Sequence, residues 1–223
     1  MKRGLAIAAI ISLVIILFLT SIELVAFDIA FYKREYEKLN IAQNTGMADG
    51  ELMRVTEELL KYLRDERDDL DITAIINGES RQVFNEREVA HMVDVKDLFL
   101  GGVKLRIIAI VCFVFSLLLL YFLVKKSLWR YLASSFLWVF GVILLFGIIL
   151  FILMYMDFTP VWDQFHYIFF SNDLWQLNPK TDILIRMVPE QFFFDTVQRI
   201  LFIFGVTMIA LFIPSFIVVK KQK

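Results

Sequence analysis

The chain has 223 residues, of which 59% are hydrophobic and 15% aromatic, with 23 Lys and Arg against 24 Asp and Glu. Soluble domains run to roughly 45–50% apolar residues, so the composition excludes an ordinary soluble domain and points to an integral membrane protein. The net charge of -1 and its uneven placement exclude a nucleic-acid partner, and the single cysteine, Cys112, leaves no intrachain disulfide, cysteine metal cluster or N-terminal lipidation site.

Four apolar runs reach the roughly 20 residues needed to cross about 30 Å of hydrocarbon: residues 5–27, 106–124, 131–156 and 196–219. The first follows Lys2 and Arg3 and is longer than the about 7–15 apolar residues of a signal peptide, so it reads as an uncleaved anchor. Lys2 and Arg3, then Lys125, Lys126 and Arg130, then Lys220, Lys221 and Lys223 sit in three short flanks without an acid. The positive-inside bias makes those flanks cytoplasmic, with a loop at 125–130 and a tail at 220–223. Two segments, 28–105 and 157–195, are then extracytoplasmic; they carry 11 basic against 17 acidic residues and 2 against 6. The expected fold is mainly α and polytopic, with four transmembrane helices and a small α+β extracytoplasmic cap.

Within the first outer segment, Phe31, Tyr32, Tyr36 and Leu39 prolong the helical spacing of the first span, which is expected to project beyond the bilayer. Leu52, Val55, Leu59 and Leu63 recur on one face of an amphipathic helix. Residues 71–84 read as a hairpin around Asn77-Gly78, because both central positions of such a turn require positive φ. Asn85 and Glu88 form a capping box that opens a helix expected to end at Gly101-Gly102, with His91, Asp94, Val95 and Leu98 on one face. In the second outer segment, Thr159 is the expected N-cap and Pro160 the first residue of a helix whose aromatic face is Trp162, Phe165, His166, Phe169 and Phe170. The chain then turns at Asn178-Pro179 and re-enters the membrane after Pro189, and Pro214 is expected to kink the last span.

Signatures of nucleotide hydrolases, serine hydrolases, zinc proteases and proton-driven transporters are all missing. The chemistry that remains centres on its two histidines, His91 and His166, both outside the spans. Brought together, they can act as general acid and base near neutral pH, with Asp94 orienting an imidazole. From spacing alone, the reading as two ordinary surface or interfacial histidines carries more weight, since neither lies in a metal-type or triad motif. A zinc site of His91, Asp94 and His166 lacks an anchoring histidine pair, and a bis-histidine haem would place its ligands within the apolar slab. Glu23 lies near the outer end of the first span, where it snorkels or faces the site. Arg106 and Arg199 open spans on the outer side, against the positive-inside bias, and are candidates to meet an anionic lipid or an acid. Trp162, Trp175 and Phe192 to Phe194 read first as interfacial anchors and second as substrate contacts.

The strings FNEREVAHMVDVKDLF, FHYIFFSNDLWQL and MVPEQFF, on a four-span layout, resemble the bacterial lipoprotein intramolecular transacylase family over essentially the whole chain. The resemblance implies transfer of the sn-2 acyl chain of a diacylglyceryl lipoprotein to the α-amino group of its own N-terminal cysteine, with no nucleotide, metal or cofactor. It implies a diacylglyceryl lipoprotein substrate, a phospholipid surround and catalysis by His91, His166 and Asp94, leaving oligomeric state open. Lys96, Asn172 and Trp175 lie in the matching strings and join Trp162, Glu23, Arg106 and Arg199 as candidate substrate contacts. In the mechanism this suggests, His91 steadied by Asp94 is the base, His166 is the donor, and the hairpin and aromatic face exclude water.

Overall fold

The computed structural model describes residues 1–221, which are mainly helical with one two-stranded sheet. Three helical stretches, Lys2–Ala26, Glu86–Met156 and Glu190–Lys220, are long and apolar enough to cross a membrane. The chain forms two compact units, one comprising Met1–Glu23, Val103–Phe158 and the chain from Gln198, the other Leu24–Gly102 and Thr159–Val197.

The first unit is built from helix α1 (Lys2–Ala26), the C-terminal part of α5 (Glu86–Val124), α6 (Leu128–Met156) and most of α9 (Glu190–Lys220). Its centre is a cluster of Ile10, Phe136, Phe204 and Met208, against which Val14, Leu17, Phe140 and Phe212 pack. Its outer surface is apolar as well, with Val111, Phe115, Phe122, Phe146 and Phe202 all more than half exposed. Side chains of this kind suit a hydrocarbon surround. A 3-10 turn, Lys125–Ser127, separates α5 from α6. The Glu23 carboxylate forms an ion pair with Arg106, so each satisfies a charge that would be costly to leave alone at the edge of an apolar slab.

The second unit begins with α2 (Ile29–Leu39). Contrary to the expected projection of the first span, α2 is a separate helix: Asp28 adopts an extended conformation and its carboxylate caps the Ala30 and Phe31 N–H groups. Phe31, Tyr32 and Tyr36 are buried and their rings meet Phe192 at 5.0–6.1 Å. A short α3 (Ile41–Thr45) ends at Gly46, and α4 (Asp49–Leu63) buries the expected stripe of Leu52, Val55, Leu59 and Leu63. The Tyr36 hydroxyl bonds Thr56 Oγ1 at 2.9 Å, tying α2 to α4.

Strands β1 (Thr73–Ile76) and β2 (Glu79–Gln82) pair antiparallel, with Ile76 opposite Glu79. Asn77 and Gly78 take φ of 54° and 85°, as the turn demands. The Asn77 N–H donates to the Gly46 carbonyl at 2.8 Å. Gly46 has φ of +74°, and a Cβ there would stand 2.2 Å from Asn77 Oδ1, so this approach requires glycine.

Two expected boundaries are corrected. Helix α5 does not end at Gly101-Gly102 but continues through them to Val124, 39 residues in all. Each glycine weakens a helix by about 1 kcal/mol, less than the cost of unpaired backbone groups beside an apolar run. Helix α7 (Phe158–Phe169) starts before Thr159, directly after an extended Asp157. Pro160 is then its third residue, where the missing N–H has no intrahelical partner to lose. A one-turn helix α8 (Leu184–Met187) precedes α9, and α9 remains helical through Pro214.

Candidate active site

The site lies in the second unit, and its first component is the beginning of α5. The Asn85 side chain accepts from the Glu88 N–H at 3.0 Å, and Glu88 Oε2 accepts from the Asn85 N–H at 2.8 Å. This capping box aims α5 and sets the direction of His91 one turn later. Glu88 also reaches a distant part of the chain, since its other oxygen accepts the Leu184 N–H at 2.6 Å and the side chain is 1% exposed. Burial raises the Glu88 carboxyl above its ordinary range, against the pull of the backbone donors. Beside it, Asp182 accepts from Asn85 Nδ2 at 2.9 Å, the Asn178 N–H at 2.7 Å and Thr181 Oγ1 at 2.7 Å. Burial opposes the Asp182 charge, but these donors and Arg87 outweigh it and hold the carboxyl below its ordinary value. Two carboxylates therefore fasten the segment after Asn178 to the start of the His91 helix.

Helix α7 supplies the second histidine. His91 and His166 face each other with ring centroids 6.3 Å apart, and they are 8% and 6% exposed. Phe170 touches both rings, at 5.5 and 5.7 Å. Around His166, Trp162 stands edge-on at 4.6 Å and Trp175 stacks at 4.5 Å with 21° between planes. Trp162 is held in turn by stacking on Phe165 and on Phe193.

The two imidazoles differ in their hydrogen bonding. His166 Nδ1 lies 2.8 Å from the Trp162 carbonyl oxygen. A carbonyl only accepts, so Nδ1 carries the proton and the neutral ring keeps its lone pair on Nε2. His91 Nδ1 is buried with no hydrogen-bond partner among the described residues. Burial, helped by His166 and Arg87 and opposed by Asp94, holds the His91 imidazole down at about 4. Burial also lowers His166, against the Trp162 carbonyl and the Asp163 charge. Both rings are consequently neutral at pH 7.

Asp94 hydrogen-bonds Asn172 and not an imidazole: its carboxylate accepts from Asn172 Nδ2 at 2.8 Å. Asn172 in turn accepts the Leu174 N–H on its side-chain oxygen at 3.1 Å and the Trp175 indole N–H on its backbone carbonyl at 3.0 Å. Asp94, Asn172, Trp175 and His166 thus form one connected chain of contacts. Lys96 is directed elsewhere, pairing with Asp65 at 2.6 Å and lying 4.5 Å over the Tyr62 ring. Glu23, Arg106 and Arg199 belong to the other compact unit. Among the described residues, no three His, Cys, Asp or Glu side chains converge to hold a metal ion. Sequence reasoning missed Arg87, whose spacing of four from His91 was the available signal, and it gave Glu88 only a capping role.

A family model described as lipoprotein intramolecular transacylase Lit matches residues 7–193. No curated relative matches by sequence. The fold is similar to that of the membrane-integral lipoprotein intramolecular transacylase Lit from Bacillus cereus, with a TM-score of 0.79 and 23% identity over 100% of this chain and 97% of that one. Structures of the same protein with one histidine changed to arginine or to alanine match with TM-scores of 0.74 and 0.73 at 22% identity, covering 100% of this chain and 93% and 95% of theirs.

Proposed function

The chain belongs to the lipoprotein intramolecular transacylase family, and we propose that it moves the sn-2 acyl chain of a diacylglyceryl lipoprotein onto the α-amino group of that lipoprotein's N-terminal cysteine. The observation that carries the reading is the buried imidazole pair, with the proton of His166 fixed on Nδ1 by the Trp162 carbonyl. His166 Nε2 then offers a lone pair to the attacking amine and is the general base. His91, kept neutral, has a single ring N–H, and with that proton on Nε2 it donates to the oxygen that gains charge as the ester carbonyl becomes tetrahedral. This exchanges the roles the sequence suggested, because a carbonyl-bound Nδ1 leaves neutral His166 an acceptor at Nε2.

In the step, the amine nitrogen bonds the acyl carbon and the bond from that carbon to the glyceryl oxygen breaks. The proton lost by nitrogen passes through His166 to the departing oxygen. Amine and ester belong to one molecule, so proximity supplies much of the acceleration. Trp162 and Trp175 lie against His166, Phe170 lies against both imidazoles, and these rings disfavour water as the competing nucleophile.

The reading includes four spans, formed by α1, the apolar part of α5, α6 and α9. The turn carrying Lys125 and Lys126 and both termini are cytoplasmic, and His91 and His166 are at the outer face. The positive-inside distribution of the flanks supports this orientation. Asn172 and Trp175 remain candidate substrate neighbours through their contacts to Asp94 and His166, and Glu23, Arg106 and Arg199 remain candidates for the lipid portion.

The test is mass spectrometry of the N-terminal lipopeptide of a lipoprotein from cells without another N-acylation route. Expression of the chain should yield fragments with one acyl on nitrogen and one on glycerol, and His91→Ala or His166→Ala should abolish them while the protein stays inserted. An unchanged diacylglyceryl peptide overturns the assignment, and free fatty acid with no N-acyl product identifies a hydrolase instead.

A further inference from the structure

Positions 87, 91 and 94 of α5 fall on one helical face, with His91 between the other two. Arg87 Nη2 donates to the Asp173 carbonyl, and the Asp173 carboxylate lies 3.5 Å from the guanidinium. One turn to the other side of His91, Asp94 binds the Asn172 side chain. Adjacent residues of one short segment are therefore fastened across the helix on either side of the histidine. The same segment carries Trp175, whose indole is hydrogen-bonded to Asn172 and stacked on His166. Ser171, Asn172 and Asp173 are themselves exposed, while the two imidazoles beneath are almost completely covered.

We propose that Arg87 is a positioning residue of the transacylation site: with Asp94 it seats the strap from Asn172 to Trp175, which holds Trp175 on His166 and keeps water from the acyl group. The proposal rests on the transacylase reading. Arg87 touches neither reacting atom; it acts through the strap. Its chemical consequence is a partition. With the strap seated, the acyl carbon bonds to the amine nitrogen. With the strap loose, water oxygen bonds to that carbon instead, the same bond from the acyl carbon to the glyceryl oxygen breaks, the water proton passes to that departing oxygen, and the products are a free fatty acid and a lyso-lipopeptide with an unmodified amine.

The experiment compares full-length protein and variants in mixed micelles with a synthetic diacylglyceryl lipopeptide, measuring N-acyl product and free fatty acid together. Arg87→Gln should lower N-acyl formation by about 10-fold and raise the share of ester cleavage that ends as free acid. Arg87→Lys, which retains a donor for the Asp173 carbonyl, should recover part of the lost partition. Asp173→Asn keeps the backbone carbonyl and removes only an exposed ion pair, so its partition should stay within about threefold of wild type. If Arg87→Gln does not accumulate in the membrane, Asn172→Ala removes the other attachment and should release acid in the same way. A folded Arg87→Gln protein with wild-type partition overturns the proposal, whether its total turnover is normal or reduced, since a merely structural role changes the amount of active enzyme and not the ratio of products. Wild-type protein that forms no N-acyl product overturns the transacylase reading itself.

Discussion

His91 and His166 meet across 6.3 Å from two helices whose histidine positions are 75 residues apart in sequence, and neither ring is more than 8% exposed. An imidazole in such a place is valuable as a neutral group. Protonating it means placing charge next to a second imidazole and Arg87 with little water to share it.

The pH dependence follows from that neutrality. The attacking amine has an ordinary pKa of about 7.7–8.0, and a base held below the usual histidine range cannot strip a proton from the ammonium form in the ground state. Accordingly kcat/KM should rise with pH until the free amine is unprotonated, near pH 8. The acid limb of kcat, set by lowered His166 in the complex, should lie below the usual histidine value of about 6.5. Stability carries the same sign: His91 binds a proton more readily unfolded than folded, so its contribution is fully present above about pH 6.5 and is lost as pH falls toward about 4. Lipopeptide kinetics and thermal unfolding between pH 4 and 9 test both, and a kcat limb at or above 6.5 contradicts the lowered base.

Asp94 offers a second test, because its partner is Asn172. Asp94→Asn can still accept the Asn172 amide proton, whereas Asp94→Ala cannot. The Asn variant should keep activity within about 10-fold of wild type, and the Ala variant should lose on the order of 100-fold. Equal, near-complete loss in both would mean that the charge itself acts on the imidazole.

Glu88 gives a stability prediction. Its two oxygens satisfy two backbone donors in a buried place. Glu88→Gln retains one acceptor oxygen and leaves one of those donors unpaired, at a cost of about 1–3 kcal/mol. Glu88→Ala should be worse, by the further loss of packing and of the second bond. Equilibrium unfolding in detergent reads the difference, and a Gln variant as stable as wild type would show that the segment around Leu184 is held by other contacts.

What could be read from the sequence was what short-range chemistry dictates. Asn77-Gly78 announces its turn because both residues must take positive φ, and Asn85 with Glu88 announces a helix start because each side chain answers the other's backbone. Gly101-Gly102 misled because glycine weakens a helix only modestly, while an apolar run strongly favours continued internal hydrogen bonding. Thr159 misled because a proline suits any position of a helix's first turn, so it marks the start only to within a few residues. The contacts that define the site had no local signature. Asp94 finds Asn172 across 78 residues, and Glu88 finds Leu184 across 96. The tautomer of His166 was equally hidden, since it depends on a backbone carbonyl within hydrogen-bonding reach of one ring nitrogen.

Two of the four tryptophans, Trp162 and Trp175, lie directly against His166, while Trp129 and Trp138 stand exposed on α6. An imidazolium in contact with an indole quenches its emission more than a neutral imidazole does. The molecule therefore carries its own optical indicator. As His166 gains a proton, the half-buried pair of indoles beside it should dim over a background from the exposed pair, and the charge state of the reacting group becomes visible without a label, a substrate or a turnover.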